Sequence, residues 1–101
     1  MRDHRKHPRK PIEISIAFRL GEGPRIDARC RDISLGGMFI ETTTPAPFGA
    51  SVEVFLSLEG LKQPAVIPSI VRWTTPEGMG VQFGVMGARE TYALTQLLSE
   101  L

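Results

Sequence analysis

Cysteine is nearly absent. The 101 residues hold one, Cys30, which rules out an intramolecular disulfide. No Cys and His residues stand at zinc-ligand spacing, so no structural metal is expected. No apolar run approaches the roughly 20 residues that span a bilayer, and Met1-Arg2-Asp3-His4-Arg5 is charged where a secretory leader would be apolar. The expectation is a cytosolic chain with no membrane partner. Catalytic patterns are missing as well. No Ser/His/Asp or Cys/His arrangement is recognisable, and no glycine-rich phosphate loop opens a helix, so an enzyme is not expected. Aromatic residues make up 7% of the chain, and its basic amino-terminal segment contains none. Single-stranded nucleic acid is normally held on stacked aromatics, which counts against that class of partner.

What is present is ordinary in amount and uneven in placement. Hydrophobic residues at 42% and charged residues at 23% suit one small globular domain with a modest core. The formal net charge is +1, yet residues 1–31 hold nine of the twelve Lys and Arg against four acids. Residues 32–101 hold three against seven. Cationic charge gathered at one end favours an anionic partner there.

Residues 1–11 are polar, rich in Arg, Lys and His, and carry Pro8 and Pro11, which predicts a flexible arm. Residues 12–101 read as one domain. Ile12, Ile14, Ile16 and Phe18 alternate with polar residues as a half-buried strand does. Ile26, Ala28 and Cys30 face one way in a second strand, with Asp27, Arg29 and Arg31 facing the other. Met38-Phe39-Ile40-Glu41 forms a third, and Val52, Val54, Leu56 and Leu58 mark a fourth in which Phe55 breaks the alternation. Residues 65–74 give a fifth, with Ile67, Val71 and Trp73 on one face, so that Trp73 is expected in the core or against a helix. Pro68 asks for an edge or a bulge, because it lacks a ladder donor. Gly80-Val81-Gln82-Phe83 is the sixth. From about Ala88 the period becomes helical, through Ala93, Leu94, Leu97, Leu98 and Leu101. Short strands at regular spacing predict a mainly β fold: a six-stranded antiparallel barrel with a carboxy-terminal helix over an open end.

Two segments carry recognisable chemistry. Arg5-Lys6-His7-Pro8-Arg9 reads RxxxR on the arm, and Asp32-Ile33-Ser34-Leu35-Gly36-Gly37 reads DxSxxG between two strands. Arginine grips phosphate through a planar fork and stacks on a base through its face. A carboxylate accepts from the N1–H and N2–H₂ edge that guanine has and adenine lacks, and Ser34 adds a hydroxyl. Gly36-Gly37 permits positive φ and close approach of main chain to a ligand. Each segment also has a plain reading, as a solvated tail and as a hairpin turn with side-chain-to-backbone bonds. Arg29 and Arg31, outward beside the motif, either widen the positive field or form a solvated face. His4 and His7 lack a third ligand for a metal, and Cys30 reads as a small core residue.

Taken together and in this order, the two motifs resemble those of the PilZ domain family, bacterial receptors for cyclic di-GMP. The resemblance covers essentially the whole chain. It includes RWTTPEGMGVQF at Arg72–Phe83, which is similar to the family's last hairpin, and the terminal helix. It implies that Arg5 and Arg9 grip phosphates and stack on guanine. It implies that Asp32 and Ser34 bind a guanine edge, with Gly37 as the motif glycine and Gly36 beside it. His4 precedes RxxxR, where an Arg in the family favours an intercalated ligand dimer; ligand stoichiometry stays open. The resemblance further implies a non-enzymatic receptor, monomeric or weakly dimeric. It would need no cofactor besides its ligand, order its arm on binding and signal to a partner protein. The alternative is a ligand-independent adaptor working through protein contacts, as in pilus or motility machinery.

Overall fold

Alternating side chains build the wall. A computed structural model describes residues 10–101, so His4, Arg5 and Arg9 lie outside the described residues. Strand β1 (Lys10–Leu20) buries Ile16 and Phe18 and half-buries Ile12 and Ile14, leaving Glu13 and Ser15 exposed. It starts two residues before the first alternating isoleucine, because Lys10 and Pro11 already pair with Ile33 and Asp32. The other strands are β2 (Ile26–Ile33), β3 (Gly37–Glu41), β4 (Ser51–Leu56), β5 (Ala65–Thr75) and β6 (Gly78–Phe83). All pair antiparallel in the closed order β1-β2-β3-β6-β5-β4, with β4 returning to β1. The expected six-stranded barrel is therefore the fold. Phe18, Cys30, Ile33, Met38, Ile40, Leu56, Ile67, Met79 and Val81 fill its interior, each at most 1% exposed.

Pairing register slips in β1 between Pro11 and Ile14, in β2 between Cys30 and Asp32, and in β5 between Val71 and Trp73. A bulge adds one residue to one strand, so alternation is reset beyond it. In β5 this corrects the expectation for Trp73. Ile67 and Val71 enter the core, but Trp73 emerges on the outer wall, 40% exposed. Its indole lies over Gly80, where a Cβ would overlap the ring.

Pro68 sits opposite Glu53 in β4, just past the last β5–β6 pair, Ser69 with Phe83. Its carbonyl accepts from Gly84 N–H at 2.6 Å on the β6 side. In an antiparallel strand the N–H and C=O of one residue point the same way, so the missing donor faces that side, where β6 has ended. Phe55, the break in the fourth strand's alternation, is outward yet 6% exposed, covered by Arg25 at 3.9 Å from the ring centroid.

Helix α1 (Ala88–Ser99) places Ala93 and Leu94 in the core, with Leu97 and Leu98 packed against it. Glu90 in its first turn complements the helix dipole. At the other end Lys10 Nζ donates to the Leu98 carbonyl at 3.1 Å, satisfying a terminal acceptor and fastening the start of β1 to the helix.

Candidate functional site

The DxSxxG segment is the turn from β2 into β3. Gly36 N–H donates to Ser34 Oγ at 3.0 Å, and Ser34 N–H donates to the Gly37 carbonyl at 2.9 Å. Phe83 N–H donates to the Gly36 carbonyl at 2.8 Å, stitching the turn to the end of β6. Ser34 is 3% exposed, so its hydroxyl serves the turn from within the wall. Neither Gly36 nor Gly37 has positive φ, contrary to the freedom the sequence suggested. Gly37 is required for another reason: a Cβ there would overlap the Val81 carbonyl of β6.

Asp32 reaches the outer wall because of the β2 bulge. Cys30 and Ile33 are fully buried, whereas Arg31 is exposed and Asp32 half-buried between them. Unbroken alternation from Cys30 would turn Asp32 inward and Ile33 outward. The extra residue puts Arg31 and Asp32 outside together, and the Cys30 thiol donates to the Asp32 main-chain carbonyl at 3.3 Å.

Register then aligns a row across five strands. Pro11 of β1 lies opposite Asp32, Asp32 opposite Phe39, Phe39 opposite Gly80, and Gly80 opposite Trp73. The row runs from the root of the amino-terminal segment through a carboxylate to an indole. The sequence did not single out Phe39 or Gly80, because Met38-Phe39-Ile40 is apolar throughout and hides which side chains face out. Arg31 Cζ stands 4.7 Å from the Phe39 ring centroid, and its Nη2 meets Glu41 Oε2 at 2.6 Å. Arg29 approaches Glu13 at 3.5 Å. Acids thus offset both outward arginines of β2, rather than leaving a broad positive field.

One groove, about 600 Å³, lies over β4, β5 and β6. It includes Gln82, the register partner of Gly37, but neither Asp32 nor Ser34. Among the described residues no group of three His, Cys, Asp or Glu side chains can hold a metal ion. No helix among them is long and apolar enough to cross a membrane.

A closed antiparallel barrel with polar groups on its outer wall, next to the strand by which the chain enters, defines a class of small binding domain. Within that class the chain belongs to the PilZ domain family, whose model it matches over residues 3–100. In sequence it is similar to a cellulose synthase catalytic subunit [UDP-forming] of Xanthomonas axonopodis pv. citri (strain 306), 29% identical over 91 residues. That match takes in 88% of this chain and 12% of the synthase. Its fold is shared by the PilZ domain of CeSA from a cellulose-synthesizing bacterium, with TM-score 0.71, 16% identity, and 89% and 93% of the two chains covered. The complex of MrkH from K. pneumonia with c-di-GMP superposes with TM-score 0.73 and 17% identity over 97% of this chain and 51% of that one. For the Bacillus subtilis inhibitor of motility MotI, the TM-score is 0.64 at 17% identity, covering 96% and 53%. The chain therefore spans about half the length of the MrkH and MotI chains and a small part of the synthase.

Proposed function

We propose that this domain is a non-catalytic receptor for cyclic di-GMP that orders its amino-terminal segment around the ligand and signals to a partner protein. One observation carries the reading: in a PilZ chain with both motifs intact, β1 begins beside Asp32, with Pro11 as its register partner. Arg9 immediately precedes β1 and Arg5 lies five residues before Lys10. An extended chain reaches at most about 17 Å over that distance, enough for both guanidinium groups to meet a ligand on this wall. Asp32 accepts from the guanine N1–H and N2–H₂ edge, and Arg5 and Arg9 hold phosphate and base. Ser34 and Gly37 serve by keeping the turn that presents Asp32, with the Ser34 hydroxyl proton as a further donor. Trp73 supplies an aromatic face at the far end of the row. The ligand is a signal and no cofactor is needed. Ordering a segment is a recognised switch when the ligand contacts only the ordered state.

Calorimetric titration with cyclic di-GMP tests this. Saturable binding by the wild-type chain is expected, with Arg5→Ala, Arg9→Ala and Asp32→Ala each weakening it at least tenfold, the scale of one lost charge-assisted contact. Folded wild-type protein that takes up no ligand at high micromolar concentration would end the reading. An Arg5/Arg9 double variant that still captured its partner would favour the ligand-independent adaptor.

A further inference from the structure

We propose that Arg31, outside both motifs, is a further ligand-binding residue: its guanidinium is a stacking surface for the guanine whose edge Asp32 reads. The inference rests on the cyclic di-GMP reading and adds a specificity-determining group to that site.

Three observations place it there. First, Arg31 is the added residue of the β2 bulge, so it stands on the outer wall with its chain neighbour Asp32 instead of on the opposite face. Second, the guanidinium is held in place. Nη2 and Nε both donate to Glu41 Oε2, at 2.6 and 3.2 Å, and Cζ lies 4.7 Å from the Phe39 centroid. Third, the guanidinium keeps an open side. Phe39 beneath is 7% exposed, whereas the Arg31 side chain remains 44% exposed. A planar cation pinned by a carboxylate, resting over a ring and still partly in solvent is arranged to receive a second flat π system. Pinning it beforehand also lowers the ordering cost of binding. The bond to Glu41 outweighs the opposing effect of desolvation and, with the charges of Glu41, Glu77 and Asp32, holds the Arg31 pKa above its ordinary value, so the cation persists at every working pH.

A plain surface ion pair over Phe39 would have the same coordinates and no effect on ligand, so the test separates plane from charge. Cyclic di-GMP affinity is measured calorimetrically for wild type, Arg31→Lys, Arg31→Met and Glu41→Gln, at low and moderate salt, with urea midpoints recorded for each. Lys keeps the charge without the plane; Met keeps a cover over Phe39 without either. The expected result is a loss of about tenfold for both Arg31 variants, the size of one base-stacking contact, persisting at the higher salt. Glu41 is a positioning residue. Glu41→Gln is expected to weaken binding severalfold in the wild-type background and not at all in Arg31→Met, a coupling that a merely structural role would not show. Wild-type binding with Arg31→Lys or Arg31→Met within twofold of it would overturn the stacking role and leave the receptor reading standing. No binding by folded wild type would overturn both.

Discussion

A methyl group at Gly37 would run into the carbonyl of Val81, and neither main chain can withdraw without loosening the β3–β6 ladder. Gly37→Ala is therefore expected to destabilise the domain by about 1–3 kcal/mol, as overpacking against fixed neighbours does. A urea unfolding curve measures it, and an unchanged midpoint would show that the wall yields. The same residue shows what a linear pattern conveys. That a glycine belongs in the motif is legible from DxSxxG; that it is needed against β6, 44 residues further on, depends on strand order. Asp32 is similar. Its place in the motif is legible, but alternation from Cys30 points it inward, and only the added residue of the bulge brings it out. The candidate arginines at positions 5 and 9 are legible as sequence and lie outside the described residues.

Each element follows from its periodicity until a local insertion interrupts it. Ile12 to Phe18 keep their period through β1 and reach the core as read, and the helical spacing of Ala93, Leu94 and Leu97 yields α1. Trp73 breaks the pattern, because one extra residue after Val71 carries the largest side chain of β5 to the outside. No composition signal marks that bulge, since Arg72 and Trp73 both fit a strand. The helix contributes through few residues: Leu94 is fully buried, Ala93 is 7% exposed, and Leu97 and Leu98 are partly covered. Leu94→Ala is expected to cost about 2–5 kcal/mol by leaving a cavity in the core. Equilibrium unfolding followed by far-UV circular dichroism would register the loss, and a cost below 1 kcal/mol would mean that α1 only rests on the barrel.

For the molecule as a whole, the proposed function gives the barrel and the segment before it separate tasks. Among the described residues, 10–101, the six strands close the barrel, a core fills it and Lys10 ties β1 to the helix at Leu98. A chain lacking residues 1–9 is expected to keep its β circular dichroism and its cooperative unfolding while losing cyclic di-GMP binding. Retained affinity in that chain would shift the ligand site wholly onto the wall. Closure of the barrel has a further effect, on what stands next to it. Open sheets present a row of unsatisfied main-chain groups that any extended neighbour can zip onto. Here β4 returns to β1 through Ala17–Leu20 opposite Val52–Phe55, and much of the row is used up internally. Placed beside other domains or crowded among its own copies, the described barrel offers only short stretches of ladder to extend, on β1 before Ala17 and on β5 before Ser69.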